Sequence, residues 1–169
     1  MRYRILAVLL LIIGHSVSAQ SDNCPCCTEN HGSFDFWLGT WEVTNANGTK
    51  AGNNTITKLQ QGCILKEEWI GIDGKNTGTS LNFFNLKTKQ WEQLWVDNSG
   101  THLKLKGNRS GNQMILTSDS FEHKDGNMYV DRITWTNNPD GTVRQLWEVL
   151  QGEKVVSVAF DGLYKRVKE

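Results

Sequence analysis

Gln90-Trp91-Glu92-Gln93-Leu94-Trp95-Val96-Asp97, followed by the turn Ser99-Gly100, is the stretch whose reading decides the fold. It is a short run rich in Trp, Leu and Val, and it stops at a dipeptide that tolerates a hairpin. Strand alternation would place Trp91, Gln93, Trp95 and Asp97 on one face. The same pattern recurs along the chain. Tyr129 to Trp135 is a second such run, and further turn signals stand at Asn47-Gly48, Asp73-Gly74, Ser110-Gly111, Asp125-Gly126, Asp140-Gly141 and Gln151-Gly152. About ten strands follow, at roughly 38–45, 53–60, 62–71, 77–85, 90–97, 101–107, 112–119, 127–136, 142–150 and 154–166. Consecutive strands joined by short turns make an antiparallel up-and-down meander, and closing it removes the exposed edges. The expected fold is all-β, a single β-barrel. Ser33 to Leu38 would add one helical turn before the first strand, capped by Ser33.

Outward from this core, the N-terminus reads as an export address. Arg2 and Arg4 form a positive n-region, Ile5 to Ile13 an apolar h-region, and Val17-Ser18-Ala19 a small-residue cleavage site. That divides the chain into a signal peptide over 1–19, a cysteine-containing tail over 20–32 and a barrel domain over 33–169. Removing 19 of the 169 residues takes two arginines and no acid from a chain of 18 basic and 18 acidic residues. The mature charge is therefore −2, against the strongly basic surface of most nucleic-acid binders. The apolar run is too short to span a bilayer. Ser21-Asp22-Asn23 before Cys24 is unlike a lipoprotein cleavage site, so no membrane anchor is expected. The expected location is periplasmic or secreted.

All four cysteines, Cys24, Cys26, Cys27 and Cys63, lie in the mature chain. Disulfides are the default in an oxidising compartment. A bridge from the tail to Cys63 would staple the tail to the barrel, but the spacing leaves its partner open. A four-cysteine zinc site is the alternative, weakened because Cys63 has no second cysteine near it. A free Cys63 is the third possibility. No metal site is expected.

Gly39-Thr40-Trp41, within Phe34-Asp35-Phe36-Trp37-Leu38-Gly39-Thr40-Trp41-Glu42-Val43, resembles the opening of calycins, the group of lipocalins and fatty-acid-binding-like barrels. The resemblance implies that Trp41 packs under the closed end of the barrel against Arg166, a structural pair. A closer likeness is to the bacterial family called domain of unknown function 1579. It runs through Gly62-Cys63, Glu67-Glu68-Trp69, Gly78 to Asn82, Trp91 to Asp97, Arg132 to Trp135 and Val143 to Glu148. That likeness covers about residues 26–166 and implies a fold without implying a reaction. Nitrobindin-like haem barrels share the Gly-x-Trp opening but hold haem through a late His. The last His here is His123, beside a turn, so no cofactor is expected.

The faces that carry both Trp and amides would build an aromatic-walled cavity with a few polar handles: Trp69, Asn82, Trp91, Gln93, Trp95, Gln145 and Trp147. Arg132, if inward, would hold a carboxylate by a two-pronged hydrogen bond. Paired with Glu67 or Glu148 instead, it would be structural. These residues point to an unidentified small apolar or amphipathic ligand, bound without catalysis. Equally, each Trp can simply fill the core of a narrow barrel. No nucleophile elbow or phosphate loop occurs, and no catalytic residue is assigned. Two other functions stay open. One is a cofactor-free isomerase or cyclase using a cavity carboxylate (Glu67 or Glu68, with Asp97) and an amide. The other is a plugged barrel acting as an envelope interaction module. Neither the ligand nor the oligomeric state is encoded.

Overall fold

Eleven strands form in the computed structural model, which describes residues 24–167, and ten of them close into one antiparallel barrel. They are β1 (Gly39–Asn45), β2 (Lys50–Leu59), β3 (Ile64–Gly71), β4 (Thr77–Asn85), β5 (Gln90–Asp97), β6 (His102–Ser110), β7 (Gln113–Thr117), β8 (Phe121–Glu122), β9 (Met128–Asn137), β10 (Val143–Gln151) and β11 (Lys154–Arg166). Each strand pairs with its neighbour in sequence, except that β8 lies outside the barrel and β7 pairs directly with β9. β11 closes the ring on β1, Trp41 opposite Arg166. The meander expected from the turns is therefore the fold, with β8 added as a short strand on β9. Residues 1–19, expected to be a signal peptide, lie outside the described residues.

One end of the barrel is plugged by the chain that enters it. A single turn of helix, α1 (Glu29–Gly32), is capped by the Thr28 side chain, and a 3-10 turn follows at Asp35–Trp37. The helical turn thus begins earlier than Ser33. Ser33 is not its N-cap but closes α1, where its hydroxyl donates to Asn30 O. Phe34 and Trp37 stack with centroids 5.0 Å apart, and Phe34 meets Trp91 and Trp135 edge-on. All four rings are buried. Burying such side chains contributes on the order of 2 kcal/mol or more each.

The Arg166 guanidinium lies 4.3 Å from the centre of the Trp41 ring and donates to Leu38 O at 2.8 Å. A contact of this type contributes about 1 kcal/mol. Gly39 makes the approach possible. Its φ of +124° suits glycine, and a Cβ there would run into the Arg166 guanidinium.

The four cysteines form two disulfides, Cys24–Cys27 and Cys26–Cys63. The second joins the tail to the β2–β3 connection at the plugged end. With every sulfur so engaged, neither a thiolate zinc site nor a free Cys63 is available. Among the described residues, no helix is long and apolar enough to cross a membrane.

Candidate functional site

Alternation along each strand sends one set of side chains inward, and depth along the strand decides what each of them meets. Near the plug the inward set is apolar: Trp41, Ile56, Leu65, Phe84, Trp91, Met114 and Leu116 are buried. Midway up the barrel the inward residues turn polar. Above them the interior holds a cavity of about 260 Å³. That is just below the usual ~300–1,000 Å³ of small-molecule pockets.

Two hydrogen-bonded arms meet at Glu67 on the cavity floor. On one side, Gln93 Nε2 donates to Asn82 Oδ1 (2.7 Å), Asn82 Nδ2 to Ser80 Oγ (2.8 Å), and Ser80 Oγ to Glu67 Oε2 (2.6 Å). On the other, Asn54 Nδ2 donates to Glu67 Oε1 (2.7 Å) and lies 3.4 Å from Tyr164 Oη, which in turn donates to Gln145 Oε1. Every partner of the carboxyl is a neutral dipole. Burial therefore dominates and raises its pKa from the ordinary 4.5 to about 7, although the Ser80 and Asn54 hydrogen bonds pull the other way. Burial and the neighbouring Glu67 push the Tyr164 phenol well above its ordinary value.

The walls are aromatic. Trp69, Trp95, Trp135, Trp147 and Phe160 surround the space, with Leu103 and Ile133 filling between them. Three strand glycines provide room for these rings. A Cβ on Gly78 would collide with the Trp95 indole, one on Gly52 would come within 2.8 Å of the Trp69 ring, and one on Gly162 would meet Phe160. These glycines are where a ring lies flat against the strand. Trp147 is also held from behind, its Nε1 donating to Asp131 Oδ1 at 2.8 Å. Asp97 and Thr101 line the cavity beside the β5–β6 turn, and the Ser99 hydroxyl holds the Asp97 carboxyl below its ordinary pKa.

Of the residues expected to bind a ligand, Trp69, Gln93, Trp95, Gln145 and Trp147 line the cavity. Asn82 sits beneath them, buried in the floor. Trp91 shares a face with Trp95 but lies at the plug, where its Nε1 donates to Asn30 O and Ser33 Oγ. Arg132 points outward and not into the barrel. On β9 the inward residues are Asp131, Ile133 and Trp135, and Arg132 bonds Glu148 at 2.9 Å on the outer face. Glu68 likewise faces out and pairs with Lys66, leaving Glu67 and Asp97 as the carboxylates lining the cavity. Sequence reading did not single out Tyr164, Phe160 or Asn54. The first two alternate with Gly162 on β11, so a period-two reading of that strand would have found them. Among the described residues, no three His, Cys, Asp or Glu side chains converge to hold a metal ion.

Neither a scan against protein-family models nor a search of curated proteins finds a match to this sequence.

Proposed function

We propose that this protein is an exported, calycin-like barrel that binds a small, partly polar organic molecule between its aromatic walls without transforming it. The observation that carries the reading is the cavity of about 260 Å³, whose walls are tryptophan and whose floor is a fixed hydrogen-bonded array. Rings supply contact area and the polar floor supplies orientation, which is the composition of a ligand site. The two disulfides support an oxidising location, periplasmic or extracellular. Kinship with the domain of unknown function 1579 family is part of the same proposal, supported by the motifs quoted above. The filled interior that an interaction module would have is not what the barrel shows.

Native mass spectrometry of the protein taken gently from its exported fraction tests the reading. The expected result is added mass that disappears on denaturation and is missing from a Leu103→Trp variant, whose larger side chain takes up space in the cavity. A bare mass, together with no saturable binding of 2-phenylethanol, would sink it.

A second reading has one specific observation behind it: a buried carboxyl in a cavity with its pKa raised to about 7 can move a proton at neutral pH. It would make the barrel a cofactor-free isomerase or cyclase with Glu67 as its acid–base group. On this reading the wild type in heavy water should exchange the α-hydrogens of 4-phenyl-2-butanone faster than Glu67→Gln does. Equal rates would remove the reading.

A further inference from the structure

We propose that the cavity takes an organic cation, an amine- or ammonium-bearing apolar molecule whose charged head sits at Glu67 and whose body lies against Trp69, Trp95, Trp147 and Phe160. The inference rests on the cavity being a ligand site and adds the charge of what enters it.

The lining is one-sided in charge. It contains two carboxylates, Glu67 at the floor and Asp97 beside the β5–β6 turn, and no Lys, Arg or His among the described residues. The barrel's arginines near this level are turned to the outer face and already engaged, Arg132 with Glu148 and Arg144 with Asp161. Glu67 thus lacks a counter-charge inside the barrel, and its two hydrogen-bond partners, Ser80 and Asn54, are neutral. An anionic ligand would meet no positive group and two negative ones. A neutral ligand would leave Glu67 as it is. A cation would supply what the site lacks, and the indole faces around it would attract the same charge through their quadrupoles. Asp131 strengthens this effect at Trp147, since a carboxylate accepting from the indole N–H pushes electron density into the ring. With no metal-ligand cluster among the described residues, and with walls that are mostly aromatic, the matching cation is organic.

Binding is then coupled to protons. The groups facing Glu67 are Asn54 from β2, Ser80 and Asn82 from β4, Gln93 from β5, Gln145 from β10 and Tyr164 from β11. Of these only Tyr164 titrates, and it stays neutral throughout the working range. Asp97 remains ionised. His31 lies in the plug against Phe84. A cation stabilises the ionised form of Glu67, so its arrival below neutral pH releases a proton. Affinity should rise about tenfold per pH unit up to about pH 7 and level off above it.

The test compares three probes of matched size by calorimetry on the full protein: 2-phenylethylammonium, 2-phenylethanol and phenylacetate. At pH 8 the ammonium probe is expected to bind at least tenfold more tightly than the alcohol, with phenylacetate weakest. At pH 5.5 the ammonium affinity should lose most of that preference, a drop of up to about thirtyfold, while the alcohol's stays level. Glu67→Gln should keep only the small preference for the ammonium that Asp97 supplies, the same at both pH values, and Asp97→Asn should narrow the wild-type preference without removing it. If the alcohol binds as well as the ammonium in the wild type at pH 8, the charge assignment is overturned and the ligand cavity stands. If none of the three saturates, the cavity reading falls and this inference with it.

Discussion

Replacing Cys26 and Cys63 together by serine is expected to lower the free energy of unfolding by about 4 kcal/mol, whereas replacing Cys24 and Cys27 together should cost only about 2 kcal/mol. The difference comes from loop length. The first bridge joins residues 37 apart in sequence and the second residues 3 apart, so the first removes far more freedom from the unfolded chain. The long bridge also fixes the plug. It ties the tail to the β2–β3 connection just before α1, Phe34 and Trp37 enter the barrel end, where Trp91 and Trp135 receive them. Urea unfolding of both double variants, followed by tryptophan emission, measures the contrast. Equal losses would show that the plug is held by its aromatic packing, with the long bridge contributing nothing beyond the short one.

The strands were legible because each is a short alternating run between two turn signals, and the meander followed because no connection is long enough for a crossover. β8 was not legible. Phe121 and Glu122 carry no alternation over two residues, and only pairing with Tyr129 and Met128 makes them a strand. At the site, alternation correctly groups Trp91, Gln93 and Trp95 on one inward face, yet it carries no depth. Trp91 and Trp95 are four residues apart, about 13 Å along a strand, which separates the plug from the cavity. Arg132 shows a different limit. A period of two divides β9 into an Asp131 face and an Arg132 face, each with a charged residue. The burial of Ile133 and Trp135 decides for Asp131. Glu67 could be placed beside Trp69 from sequence, but its isolation from any cation depends on where Arg132 points, and that came only with the packed barrel.

Glu67 should also make the protein less stable as pH rises from 5 to 8, the opposite of the behaviour of an ordinary salt-bridged carboxylate. Its pKa in the fold is raised to about 7 from 4.5, so between those values the folded chain holds a proton that the unfolded chain has released. Its stabilising contribution is complete below about 4.5 and is lost as pH climbs through 7. The full swing is about 3 kcal/mol. The carboxylates with lowered pKa, Asp125 at about 2 and Asp97, Asp140 and Asp161, lose their contributions only as pH falls through their own lower values. They therefore leave this window to others. Glu67→Gln isolates the effect. Its amide has no proton to lose, and Asn54, whose Oδ1 is buried without a partner, can turn over to accept from the new Nε2. The variant should equal or trail the wild type at pH 5, where a neutral carboxyl keeps its hydrogen bonds. At pH 8 it should exceed the wild type by about 2 kcal/mol, the swing less about 1 kcal/mol for an imperfect hydrogen bond. Urea midpoints of both proteins at the two pH values measure this. A saturating cation that enters the cavity should restore most of the loss in the wild type at pH 8 and little in the variant, because only the wild type has an uncompensated charge to neutralise. A wild type that is as stable relative to Glu67→Gln at pH 8 as at pH 5 would mean that Glu67 already has a counter-charge in the fold. The cavity floor would then have to be read as a structural ion pair.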